Sequence, residues 1–121
     1  MNVIERLQVL GFSEYEAKAY VALLRKSPVT GYELSKLSGV PRSMIYEVLG
    51  RLASRGAVLS TMADGARRYM PVPADELLDR LYERFRTQVE TVRRELDGLT
   101  PGGELDYVWN LVGYDHVIAR A

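Results

Sequence analysis

The stretch GYELSKLSGVPRSMIYEVLGRLASRG, residues 31–56, predicts two short helices joined by a tight turn. The first begins at the capping-box sequence TGYE, residues 30–33, where two polar side chains pair with each other's backbone amides, and it ends at Gly39. Pro41 suits the first turn of the second helix, because a missing amide costs nothing there. The second helix has one buried stripe at helical spacing, formed by Ile45, Val48, Leu49 and Leu52. This order of elements is typical of a helix-turn-helix.

Two further helices are predicted upstream. Residues 1–10 have apolar side chains at helical spacing up to Gly11. The sequence SEYE, residues 13–16, is a second capping box, and it opens a helix that runs to about Lys26. Its expected buried residues are Ala17, Tyr20, Val21 and Leu24.

Downstream, residues 57–62 and 66–72 predict two short strands joined across Ala63-Asp64-Gly65. Asp-Gly is a strong signal for a hairpin turn. The predicted fold class is therefore mainly α with a small β-hairpin wing, a winged helix-turn-helix followed by a long dimerisation helix.

That long helix is predicted over residues 75–99, which contain no proline and only one glycine, near the end. An apolar seam repeats along it at alternating spacings of four and three residues: Leu78, Tyr82, Phe85, Val89, Val92, Leu96 and Leu99. Such a heptad seam is typical of a left-handed coiled coil. The alternative is packing against the small domain, for which Leu77 and Leu81 lie off the seam. A homodimer is favoured, because an exposed apolar stripe of this length would promote aggregation.

Thr100-Pro101-Gly102-Gly103 predicts a break, followed by a strand at Leu105–Val112 and the start of a helix at Tyr114–Ala121. The predicted domains are residues 1–72, the winged helix-turn-helix; 73–100, the dimerisation helix; and 101–121, a linker and the start of a further domain.

A winged helix-turn-helix places its second helix, here about Pro41–Arg55, in the DNA major groove. Candidates for base contacts are Arg42, Ser43 and Tyr46. Glu47 could accept a hydrogen bond from cytosine, or it could orient an arginine. Candidates for phosphate contacts are Thr30, Tyr32, Lys36, Arg51 and, on the wing, Arg67 and Arg68.

Each candidate also has an ordinary structural interpretation. An exposed arginine such as Arg51 or Arg55 often forms only a surface ion pair. The Tyr46 ring could pack on the edge of the core, with only its hydroxyl outside. Arg67 and Arg68 alternate along a strand, so one of the two is expected to face DNA. The signal for DNA binding is specific only as a set, formed by the tight turn, the basic start of the second helix and the basic wing in that order.

Composition excludes several classes of function. The 121 residues include no cysteine and one histidine, His116, which excludes disulfides, thiolate zinc sites and multi-histidine metal sites. No catalytic residue, metal or cofactor is predicted, since Asp115-His116 is an isolated pair. The N-terminus lacks the apolar core of a signal peptide, and no run suits a membrane span, which predicts a cytoplasmic protein.

The formal net charge of zero conceals two opposed halves. Residues 1–72 contain ten Lys+Arg against six Asp+Glu, whereas residues 73–121 contain six against ten. Within residues 25–68, the predicted DNA-facing segment, the count is eight against three. The neutral total therefore does not argue against a DNA partner.

The first seventy residues resemble the DNA-binding domain of the TrmB family of transcriptional regulators. The stretches that carry the resemblance are LGFSEYEAKAYVALL, TGYELSKLSGVPRSMIYEVLGRLASRGAV and RRYMPVPADELL. The long helix also matches in position and length, and LDYVWNLVGYDHVIARA is similar to the opening of the family's effector domain. That domain resembles phospholipase D, but a histidine-x-lysine motif is absent after His116.

The resemblance implies a regulator that binds a pseudo-palindromic operator in double-stranded DNA as a homodimer. It implies a sugar effector only where a full C-terminal domain exists. This sequence contains almost none of that domain, as expected either of a truncated chain or of an unusually short member of the family. The alternative from another class is a winged-helix module for protein–protein interaction without specific DNA binding.

Overall fold

The computed structural model describes residues 1–100. The strand and helix predicted beyond Pro101, together with Asp115-His116, lie outside the described residues. Eight elements follow one another along the chain: α1 (Val3–Val9), α2 (Glu14–Arg25), β1 (Val29–Thr30), α3 (Gly31–Ser38), α4 (Ile45–Ser54), β2 (Val58–Ala63), β3 (Ala66–Pro71) and α5 (Ala74–Asp97). The predicted mainly helical fold with a hairpin wing is confirmed.

Reciprocal capping boxes start the first three helices. Ser13 with Glu16 opens α2, and Thr30 with Glu33 opens α3, both as predicted. Asn2 forms a third box that opens α1. Because each box satisfies two orphan amides locally, these helix starts are fixed by short-range sequence.

The core lies between the helices and the sheet. Its largest fully buried side chains are Leu23, Leu34, Ile45, Leu52, Leu77, Val29, Val40 and Val48. Helical spacing predicts that Leu24 of α2 and Leu37 of α3 face the core, but they are 46% and 48% exposed, so both predictions were wrong. On α2 the stripe that faces the core contains Ala19 and Leu23, so it is rotated by about one residue from the prediction.

The wing belongs to a sheet of three strands in the order β1-β3-β2. The hairpin of β2 and β3 turns at Asp64 (φ 52°) and Gly65 (φ 76°), and two successive positive φ angles are the requirement of a type I′ turn. β1 was not predicted. It pairs with β3 through Val29↔Tyr69 and Thr30↔Arg68, and so joins the start of α3 to the wing.

The chain divides into two units between Arg80 and Leu81. The first unit contains the winged helix and the start of α5, where Leu77 is only 1% exposed and belongs to the core. In this unit the buried Tyr20 hydroxyl donates a hydrogen bond of 2.7 Å to the carbonyl of Val72. The rest of α5 lies in the second unit.

Candidate nucleic-acid interface

The regular part of the predicted recognition helix begins later than expected, at Ile45. The residues after Pro41 form a tight turn, which the amide of Met44 closes by donating to the Pro41 carbonyl at 2.9 Å. Met44 takes the N-cap position without a side-chain hydrogen bond, because methionine has no oxygen acceptor. Arg42 and Ser43 are therefore exposed residues of the turn that precedes α4.

Two cations contact the ring of Tyr32, the second residue of α3. The Nζ of Lys36 lies 4.6 Å from the ring centroid, and the guanidinium carbon of Arg42 lies 4.7 Å from it. Both distances are within the range of cation–π attraction. Neither cation forms an ion pair with a carboxylate within residues 1–100. The contacts hold two uncompensated positive charges where α3 and the turn meet.

Tyr46, in the first turn of α4, combines packing with exposure. The end of its ring lies over the backbone of Gly31, while 59% of the residue is open to solvent. Sequence reasoning left open whether this ring packs or faces outward, and it does both. Sequence reasoning missed Gly31, because its contact with Tyr46 depends on how α3 and α4 pack together.

Glu47 and Arg51 form an ion pair one turn apart on α4, with 3.0 Å between Oε1 and Nη2. Both side chains are about half exposed. Such a pair contributes little to stability, because solvent screens it. Of the two roles open to Glu47, the geometry favours orienting Arg51 over accepting a hydrogen bond from a base.

The wing arginines differ in their surroundings. Arg67 is exposed, and its guanidinium donates to the Ser60 hydroxyl at 3.1 Å. Arg68 is half-buried, donates to the Ala63 carbonyl at 3.3 Å and lies 3.8 Å from a carboxylate oxygen of Glu33. Arg67 is therefore the freer cation of the two.

At the start of α3, the hydrogen-bonding groups of Thr30 and Glu33 are paired with each other. Thr30 accepts a hydrogen bond from the Glu33 amide at 3.2 Å, and its own amide donates to the Glu33 carboxylate at 2.8 Å. The backbone and side-chain hydrogen bonds from Thr30 lower the pKa of Glu33 below its ordinary value, with smaller contributions from the positive charges of Arg68 and Lys26. The Thr30 hydroxyl is thus already used as an acceptor.

Arg55, considered for DNA contact on sequence grounds, has three partners inside the fold. Its guanidinium donates to the carbonyl of Gly11, lies 3.5 Å from the buried carboxylate of Glu16 and stacks 4.6 Å from the ring of Phe12. These contacts attach the end of α4 to α2 and to the loop before it. Arg55 therefore has a structural role.

Within residues 1–100, no helix is long and apolar enough to cross a membrane. The same residues contain no group of acidic or histidine side chains placed to hold a metal ion.

A sequence model of the family described as "Sugar-specific transcriptional regulator TrmB" matches residues 7–75. The match covers more than half of the chain and includes both helices of the helix-turn-helix and the wing. The chain belongs to the TrmB family. The resemblance expected from the sequence is confirmed, and TrmB proteins are DNA-binding transcriptional regulators with a winged helix.

Two full-length relatives of this TrmB-family chain are much longer. The uncharacterized protein YrhO of Bacillus subtilis is 37% identical over 98% of the chain and 43% of its own length. The sugar-sensing transcriptional regulator TrmBL1 of Pyrococcus furiosus is 31% identical over 99% of the chain and 36% of its own length. The chain thus spans about two fifths of the length of these relatives.

Solved structures agree with the assignment to the TrmB family. TrmBL2, described as an archaeal chromatin protein with a novel mode of DNA binding, superposes with a TM-score of 0.68 at 28% identity. The superposition covers 92% of this chain and 41% of the TrmBL2 chain. A MarR-family regulator from Silicibacter pomeroyi superposes with a TM-score of 0.55 at 23% identity, over 96% of this chain and 79% of the regulator. At this identity the likeness shows the fold alone.

Outside the winged helix, the TrmB-family chain exposes the apolar seam of α5. Tyr82 is 68% exposed and Phe85 70%, and the remaining seam residues are exposed by at least a third of their surface. Those residues are Leu78, Val89, Val92, Leu96 and Leu99. Leu99 follows the last helical residue, Asp97.

Proposed function

We propose that the chain binds duplex DNA sequence-specifically and acts as a transcriptional regulator without catalysis. The observation that carries the proposal is the pair of exposed cations, Lys36 and Arg42, on the ring of Tyr32 at the junction of α3 and the turn. Two charges held without a carboxylate partner, in a winged helix, are arranged for an anionic polymer.

The proposed roles follow from what each side chain is free to do. Arg42, Ser43 and Tyr46 read base edges in the major groove, since all three are exposed at the start of α4. Lys36 and Arg51 contact phosphates from the two helices. Arg67, with Arg68 beside it, contacts the backbone or minor groove from the wing. Thr30, Tyr32 and Glu47 support these contacts by capping α3, carrying the two cations and orienting Arg51.

We further propose that the chain binds as a homodimer through the α5 seam. The seam is apolar at seven consecutive heptad positions and exposed throughout within a single chain. Pairing two copies would cover it, and a two-fold axis would present two recognition helices to a pseudo-palindromic site.

An effector role is not proposed for residues 1–100. The family description names sugars, and the relatives that match this chain are more than twice as long. We propose that sugar binding, where it occurs, belongs to the part of those relatives that this chain does not span.

The decisive experiment is selection of bound sites from random duplex DNA with the purified chain. A two-fold symmetric motif is expected, because base-reading side chains from two protomers would contact equivalent half-sites. Binding without an enriched motif would contradict specific reading. No binding even at low salt, where phosphate contacts are strongest, would instead favour the protein-interaction module.

A further inference from the structure

Gly31 stands at a position where the backbone does not require glycine. It is the first residue of α3, and its φ is not in the left-handed region, unlike that of Gly39 at the other end of the helix. Every L-residue adopts helical angles, and glycine disfavours a helix because its unfolded backbone is more flexible. The backbone angle at Gly31 therefore does not account for the glycine, and its surroundings offer a steric explanation.

The steric reason is the ring of Tyr46. A Cβ atom built on Gly31 would lie 2.6 Å from Cε1, 2.7 Å from Cζ and 2.9 Å from the hydroxyl oxygen of Tyr46. Real Cβ atoms do not approach other atoms this closely, so any larger residue would force the ring away. Tyr46 is 59% exposed, and its ring has open solvent into which it can move.

We propose that Gly31 is a positioning residue for DNA recognition, which seats the Tyr46 ring and so fixes the direction of its hydroxyl. The inference rests on the proposed DNA binding, and Gly31 itself need not touch DNA. A side chain that is already ordered loses less conformational entropy on binding than a freely rotating one. The next residue, Tyr32, contacts Arg42 through a cation–π interaction, so two consecutive α3 residues contact two base-reading candidates.

The test is a double-mutant cycle on the duplex that the wild-type chain selects. Gly31→Ala should weaken binding by about three- to tenfold, the cost of ordering one side chain. In a Tyr46→Ala background the same substitution should change the affinity by less than about twofold, because there is no ring left to displace. An equal loss in both backgrounds would overturn the proposal and indicate that Gly31 acts through its own backbone.

A second measurement uses the free protein. Nuclear Overhauser contacts between the Gly31 α-protons and the Tyr46 ring should be present in the wild type, and the corresponding contacts should be absent in Gly31→Ala. The melting temperature should stay the same or rise by up to about 4 °C, because alanine favours a helix. Gly50→Ala, at a helical glycine with no atom within 4 Å of its added Cβ, is the matched control for stability and for the ring contacts.

The outcomes separate this inference from the proposed function. Wild-type affinity in Gly31→Ala, with the ring displaced, would overturn the positioning role and leave DNA binding intact. A wild-type chain that binds no duplex would overturn both. Weaker binding together with unchanged stability and a displaced ring would support the role, since a merely structural glycine would lower the melting temperature.

Discussion

Arg42 and Lys36 contact the same ring but are expected to differ in what they recognise. Arg42→Ala should weaken binding to the selected duplex by about 1–3 kcal/mol and relax the preference at one base position, because guanidinium contacts to base edges carry sequence information. Lys36→Ala should weaken binding to selected and random duplexes equally. Fluorescence anisotropy on both duplexes measures the difference. Equal losses for Arg42→Ala on the two duplexes would contradict base reading.

Arg68 is a poor probe of phosphate contacts, because its side chain also has partners inside the fold. Its replacement would also remove the ion pair with Glu33 and the hydrogen bond to Ala63. Lys36 has no such carboxylate partner within the described residues. Lys36→Ala therefore changes the surface charge with the smaller effect on the fold.

Tyr20 supports a prediction about stability alone. Burial raises the pKa of its hydroxyl above the ordinary value, and that hydroxyl donates to the Val72 carbonyl. Tyr20→Phe should lower the free energy of unfolding by about 1–2 kcal/mol at pH 8, because the carbonyl loses its buried partner. The loss is measured by urea unfolding.

The pH dependence of this difference follows from the sign of the shift. Because the folded-state pKa of Tyr20 lies above the unfolded value of about 10, its contribution is complete below that pH and is lost as the pH rises towards the folded-state pKa. The difference between wild type and Tyr20→Phe should shrink above about pH 10. Tyr15→Phe, at a partly exposed tyrosine of α2, is the control. A difference that is constant up to pH 11 would contradict the assignment.

Contacts between residues close in the sequence could be predicted, whereas contacts between residues far apart in the sequence could not. The spacing of Thr30 and Glu33 was sufficient to predict the α3 cap, because both partners lie within one turn. Arg55 could not be assigned from sequence, since its hydrogen-bond partner Gly11 is 44 residues away. The contact between Tyr46 and Gly31 likewise depends on the packing of two helices.

At the scale of elements, the α5 seam predicts the state of association. Phe85→Glu together with Val92→Glu should convert a dimer into a monomer, because two charges would be buried in a coiled-coil interface. Sedimentation equilibrium at micromolar concentration measures the mass. Thr87→Glu, an exposed position off the seam, should leave the dimer intact. A wild-type chain that is monomeric at high micromolar concentration would contradict the seam as an interface.

The predictability of the elements depended on how complete their local signals were. The hairpin was predicted because Asp64-Gly65 supplies both positive φ angles of its turn. β1 has only two residues and is defined by pairing with β3, so no local pattern could reveal it. The α2 stripe was offset because Leu23 and Leu24 are adjacent, and the spacing alone did not determine which of the two faces the core.

At the scale of the whole molecule, the charge is distributed to suit a DNA partner. The winged helix, residues 1–72, has a net charge of +4, and residues 73–121 have −4. Association with a polyanion depends on the local potential at the binding surface, so the basic part sets the interaction. The neutral total of the whole sequence therefore says little about the partner.

The whole-molecule prediction is the dependence of DNA affinity on salt. If Lys36, Arg51 and Arg67 each neutralise one phosphate, a dimer makes about six such contacts, and the logarithm of the affinity should fall with the logarithm of salt concentration with a slope of about −5. Raising the salt from about 50 to about 200 mM should then weaken binding roughly 1,000-fold. Arg67→Ala should make the slope shallower by about 2, one contact from each protomer.

Arg84→Ala is the matched control for this measurement, because it removes the same charge from an exposed position on α5 outside the proposed interface. It should leave the slope unchanged, since a charge that contacts no phosphate releases no counterion from the duplex. A wild-type slope of about half the expected size would indicate that one protomer binds. A slope that Arg84→Ala reduces as much as Arg67→Ala would contradict the wing as the contact surface and place the phosphates along α5.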